Sequence, residues 1–127
     1  LVAMIHGFSP TTEIGLIAPV PPTVSQDAFG ANYRNGQTRW QYRRNQHRVV
    51  ERMTETYGGR ETENLSLIPA YVNLDCVRNY PTSTVPANSR TEITIDRQNN
   101  GVHPAGTGYM QIGDSVSAWL LATLAAG

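Results

Sequence analysis

Lysine is absent: all ten basic residues of this 127-residue chain are arginine, and ten acidic residues balance them. A formal charge of zero gives no overall field that would draw the chain to nucleic acid or to an acidic membrane surface. Cysteine is nearly absent. The single Cys76 excludes an intrachain disulfide framework and leaves no cysteine cluster for structural zinc. No apolar run approaches the roughly 20 residues that span a bilayer. Residues 1–10, "LVAMIHGFSP", lack the basic start and small-residue cleavage site of a signal peptide. The chain also starts without a methionine, as a processed or truncated product would. His6, His47 and His103 share no zinc-like spacing, so no metal centre is expected, and no cofactor is implied. Internal repeats and low-complexity tracts are missing as well. The length suits one domain and not two.

What is present alternates between two periods. Apolar residues in "LVAMIHGF" recur near helical spacing and then meet Ser9-Pro10, as in the closing turns of a helix. "EIGLIAP", residues 13–19, is a short apolar run closed by Pro19, Pro21 and Pro22, which predicts a buried strand. The Pro-, Gly- and Asn-rich residues 20–37 read as a loop. Residues 38–57 turn helical, with Tyr42, Gln46, Val49, Val50, Met53 and Tyr57 on one stripe, Thr38 as N-cap and Gly58-Gly59 as the stop. "NLSLIPA", residues 64–70, predicts a second strand, and residues 71–100 are polar with little periodicity. Residues 108–124 predict an amphipathic helix, with Tyr109, Ile112, Val116, Trp119, Leu120 and Leu124 on one face.

Strands alternating with helices imply an α/β fold with a parallel sheet. Two strands do not make a stable parallel sheet, which needs neighbours and cover on both faces. The pattern is that of the C-terminal half of a flavodoxin-like, three-layer α/β/α domain. In such sheets ligands bind outside the carboxyl ends of the strands, and the loops at 20–37 and 71–102 both leave those ends. His103 closes the second loop just before the last helix, where it is either a base facing the crevice or a surface histidine.

The block "NGVHPAGTGY", residues 100–109, resembles the last block of the SGNH (GDSL-type) hydrolases: Asp-x-x-His, then proline, then a Gly-Tyr pair opening the final helix. "FSPTTEIGLIAPVPP" and "NLSLIPAYVNLD" are similar to the family's preceding strands and their exits. The resemblance implies a serine hydrolase acting on acyl esters, with an acetyl group on a carbohydrate as one such substrate. It implies His103 as general base and Asn100 in the ring-orienting position three residues earlier. There the family has aspartate. An amide can orient an imidazole but supplies no charge, and in serine triads that exchange costs about 10⁴ in kcat. Asp96 and Asp75, on the same loop, are alternative acids.

The nucleophile is expected elsewhere. Gly113-Asp114-Ser115 spells the family's Gly-Asp-Ser, but it falls inside the final helix with no strand before it. A nucleophile needs a tight turn that lifts its hydroxyl above the sheet edge. Ser9 lies on a helix-to-strand turn, at the opposite end of the sheet. The serine and the oxyanion donors are therefore expected on the N-terminal half of the same domain, which becomes the main partner beside the ester. The rival expectation is a non-catalytic binding or structural module that keeps the hydrolase fold. Of the remaining features, "RWQYRRNQHR" at residues 39–48 mixes basic and aromatic side chains but reads as a solvated helix face, so neither nucleic acid nor membrane is an expected partner. Tyr33, Arg34 and Trp40 border the crevice as a carbohydrate subsite, with Trp40 equally placed to be a core anchor.

Overall fold

The computed structural model describes residues 1–32 and 36–126. It is a mixed α/β chain with the order α1 (Val2–Phe8), β1 (Ile14–Ile17), α2 (Gln26–Asn32), α3 (Arg39–Tyr57), β2 (Leu65–Ile68), α4 (Ala70–Asn73), β3 (Thr82–Pro86), β4 (Thr94–Gln98) and α5 (Gly106–Ala126). A short 3₁₀ turn, Glu61–Glu63, precedes β2 and ends on Asn64 in the left-handed region, φ 58°.

The two expected strands pair in parallel and in register, Ile14 with Leu65 through Ile17 with Ile68. Parallel neighbours need a crossover, and here α2 and α3 supply it. α3 starts where its sequence dictates: the Thr38 hydroxyl accepts from Gln41 N at 3.2 Å while Gln41 Oε1 accepts from Thr38 N at 2.7 Å, a reciprocal capping box. Of its predicted stripe, Tyr42, Gln46, Val50, Met53 and Tyr57 turn inward, whereas Val49 is half exposed. The core gathers Ala18, Phe29, Val50, Leu65, Ile68, Ala70, Leu74 and Tyr80. Phe29 and Tyr42 join α2 to α3 with ring centroids 5.2 Å apart.

α5 covers one face of the parallel pair, its Trp119 ring lying over Gly15 of β1 beside Ile68. Its inward face differs from the expected one. Gly108, Gln111, Ile112, Ser115, Val116 and Trp119 are buried or half-buried, while Tyr109, Leu120 and Leu124 are exposed. Polar contacts rotate the helix: Gln111 and Ser115 bond to the segment that follows β2, and Gly108 lets the helix backbone approach it. Apolar period alone does not register such contacts.

Two further elements depart from the sequence expectation. Within the predicted loop, Ser25 Oγ accepts from Ala28 N at 3.2 Å and starts the seven-residue α2, which buries Ala28 and Phe29. Within the aperiodic stretch, β3 and β4 form an antiparallel hairpin, Thr82 opposite Gln98 through Pro86 opposite Thr94. Both its strands are mostly exposed.

Candidate functional site

The His103 loop is held from both sides by the segments that leave β1 and β2. Thr23 N, six residues past the carboxyl end of β1, donates to Gly101 O at 3.1 Å. Ala105 N donates to Asn79 O, downstream of β2, at 2.9 Å. Gln98 ties the three segments together. Its Oε1 accepts from the Thr23 hydroxyl and from Ser25 N, and its Nε2 donates to Cys76 O and Val77 O, both at 2.9 Å. Gln111 ties α5 to the segment that follows β2, its Oε1 accepting from Asp75 N at 2.8 Å and Asn79 Nδ2 at 2.6 Å. Amide side chains suit this work because one group carries both donors and acceptors. These positioning residues, Thr23, Gln98 and Gln111, were not expected. Nothing in their spelling separates them from surface polar residues.

The "GVHP" spelling acquires a mechanical sense. Gly101 is buried against α2, where an added Cβ would stand 2.3 Å from Phe29 Cα, so any side chain would drive the loop off its seat. Pro104 is buried behind the histidine. At Gly108 a Cβ would meet Asn79 O at 2.6 Å and Pro104 Cβ at 2.7 Å, so glycine lets α5 start directly behind the loop.

His103 itself is exposed. Asn100 Oδ1 accepts from Val102 N at 3.0 Å and from His103 N at 2.9 Å, an Asx turn that fixes the histidine backbone. The Asn100 carbonyl oxygen thus engages the backbone around His103, and the ring has no hydrogen-bond partner among the described residues. The alternative acids are engaged elsewhere. Asp75 Oδ1 accepts from Val77 N and Arg78 N, and these bonds hold its carboxyl below the usual range, with the Arg78 charge adding to the effect. Asp96 accepts from the Thr84 hydroxyl across the hairpin at 2.7 Å.

The serines sort cleanly. Ser115 is buried in the third turn of α5, accepting from Asn73 Nδ2 at 2.7 Å and donating to Gln111 O at 3.3 Å. Ser9 caps the end of α1 and accepts from the Thr12 hydroxyl at 2.8 Å, ahead of the amino end of β1. Neither sits on the His103 loop. Cys76 is half-buried, and burial pushes its thiol up, away from the thiolate a nucleophile requires. Burial likewise holds the Tyr80 hydroxyl in its protonated form, donating to Pro21 O.

Trp40 is not a core anchor. Its ring is 65% exposed, with the Arg39 guanidinium 4.4 Å from the ring centroid, because the inward stripe of α3 passes through Arg39 and Tyr42 instead. Tyr33 and Arg34 lie outside the described residues. His6 is bonded to Thr12 O at 3.1 Å. Among the described residues no three His, Cys, Asp or Glu side chains come together as metal ligands, and no helix is long and apolar enough to cross a membrane.

No protein-family model, curated protein or solved structure matches the chain. The functional reading therefore rests on the geometry of the His103 loop and on its spelling.

Proposed function

We propose that this chain supplies the catalytic histidine of a serine hydrolase of SGNH type, acting on acyl esters such as an acetyl group on a carbohydrate. The observation that carries the reading is the mounting of His103. An exposed histidine stands on a loop clamped between the exits of two parallel strands, with a turn that fixes its backbone and a helix starting directly behind it. That placement suits a general base, which must reach solvent-side substrate while its own backbone stays still.

In this reading the chain forms the C-terminal half of a flavodoxin-like α/β/α domain, and a segment outside residues 1–127 carries the serine and the oxyanion donors. The serine hydroxyl attacks the ester carbonyl while His103 takes its proton. His103 then protonates the departing alkoxide, and the acyl-serine forms. Water attacks the acyl-serine next, giving its proton to His103, which returns it to the serine as the acid leaves. Asn100 acts as a positioning residue, holding the turn that presents the ring. Ser115 takes no part, and no cofactor is required.

A second reading, a binding module on the same fold, draws on one observation. The His103 ring lacks a carboxylate partner among the described residues, since Asp75 and Asp96 are bonded elsewhere. One experiment separates the two. In the full-length protein, hydrolysis of an aryl acetate and labelling by a fluorophosphonate are measured for wild type, His103→Ala and Ser115→Ala. The esterase reading expects His103→Ala to lower kcat by about 10³ or more, with Ser115→Ala close to wild type. Wild type that neither hydrolyses nor labels leaves the module; equal activity in wild type and His103→Ala removes the general-base role.

A further inference from the structure

A cavity of about 210 Å³ opens at the carboxyl end of the parallel pair, lined by residues that follow β1 and β2 and by α3. Pro19 and Pro21, just past β1, form one wall; Tyr71, in the α4 turn just past β2, forms another; Arg43, Gln46 and His47 of α3 close the third. Pro21 is two residues from Thr23, whose N–H holds Gly101 on the His103 loop, and its carbonyl accepts from the buried Tyr80. The wall is therefore fixed to the same scaffold as the histidine.

The polar groups around this cavity have no work to do inside the chain. Arg43, His47, Gln46 and the Tyr71 hydroxyl make no hydrogen bond or ion pair among the described residues. Arg52 pairs with Glu55, Arg60 with Glu63 and Arg78 with Asp75, and none of these three arginines lines the cavity. The nearby carboxylates, Glu51 and Glu55, line adjoining grooves that share His47 and Tyr71 with this cavity, and neither lines the cavity itself. A guanidinium-, an imidazole-, an amide- and a phenol-bearing residue line one cavity that no carboxylate lines, a set of donors suited to an anion with hydroxyl neighbours. The volume lies below the ~300 Å³ of drug-sized pockets, which admits a single ring and not an oligosaccharide. Past His47 an open groove continues to the exposed face of Trp40, where a further sugar can stack.

We infer that this cavity binds the carboxylate of an acidic sugar, making it the subsite that selects anionic carbohydrate esters for the His103 centre. The choice of a sugar rests on the esterase reading; the anion site stands on its own geometry. The test uses the full-length protein with glucuronate and, as the neutral control, glucose. Binding is followed by calorimetry and by the ring resonances of His47 and Tyr71. Glucuronate should bind and shift both rings, with glucose inert. Arg43→Gln should weaken glucuronate about tenfold, as loss of one charge-assisted contact does, and Arg52→Gln should leave it unchanged. Both positions are exposed, and an unaltered unfolding transition confirms that each variant folds. Equal binding of the two sugars, no binding of either, or an Arg43→Gln protein that binds like wild type overturns the inference. Glucuronate binding by a protein that hydrolyses no ester keeps the anion site and removes the esterase reading. Ester hydrolysis without glucuronate binding does the reverse.

Discussion

At the scale of single residues, Asn100 decides how the site is read. Its oxygen accepts two backbone amides, from Val102 and His103, a task an aspartate performs as well or better because its oxygens are charged. Asn100→Asp should therefore keep the turn and add a negative charge near the histidine, which on the esterase reading favours its imidazolium. On that reading, the full-length protein should then show a higher kcat with little change in KM. Asn100→Ala removes the acceptor of both bonds and, on the same reading, should lower kcat by loosening the loop. A steady-state comparison of the three proteins checks this: an aspartate variant no faster than wild type means that another acid already serves the ring. His103 and Asn100 stand out only through the resemblance of their block, with its proline and Gly-Tyr, to the SGNH hydrolases, and their roles stay part of the proposal. Their supports do not stand out. Gln98 is linked to Thr23 across 75 residues, and Gln111 to Asn79 across 32. A polar side chain carries no mark of the distant backbone group it will meet.

At the scale of elements, what was legible follows from which faces are buried. β1, β2, α3 and α5 each bury an apolar stripe or run, and each was found within about two residues of its ends. The β3–β4 hairpin has no such face: Thr82, Ser83, Thr84, Thr94, Asp96 and Arg97 are all exposed, so the period-two signal that marks a half-buried strand never arises. Its β-branched content was the remaining cue, and that is weak without burial. α2 fails for another reason. Seven residues with a glycine among them give two turns, too few to show a period, although Ser25 and Asp27 stand where a helix start wants them. α3 offers a direct test of an element that was legible. Its capping box satisfies two amides that no intrahelical carbonyl can reach. Thr38→Ala should cost about 1 kcal/mol, seen as a lower urea midpoint at unchanged slope. An unaltered midpoint would show that the end of α3 is held by Arg39 N on Gln26 and not by its cap.

At the scale of the whole molecule, the chain exposes what a doubly wound domain normally covers. β1 and β2 pair only with each other among the described residues, so each presents an outer edge of unpaired backbone groups. α1 buries none of its residues, and Leu1, Met4 and Phe8 are more than three-quarters exposed. On α5, Leu120, Leu121 and Leu124 add a second apolar strip. A two-stranded parallel pair is marginal by itself, since such sheets depend on several strands and on cover for both faces. If a further segment completes the sheet and brings the serine, residues 1–127 made alone should unfold broadly, bind a hydrophobic dye and hydrolyse no ester. Mixing them with the separately made remainder of the reading frame should restore both a cooperative transition and hydrolysis of an aryl acetate. Denaturation curves and an ester assay on each part and on the mixture decide the matter. A sharp monomeric transition from residues 1–127 alone would mean that this small core suffices, with the exposed strips of α1 and α5 serving some other contact. Ester hydrolysis by residues 1–127 alone would require a nucleophile within them. Ser25 would then be the first to test, because it stands on the β1 exit joined to the His103 loop, whereas Ser9 lies ahead of the amino end of β1 and Ser115 is buried in α5 with its hydroxyl committed to Asn73 and Gln111.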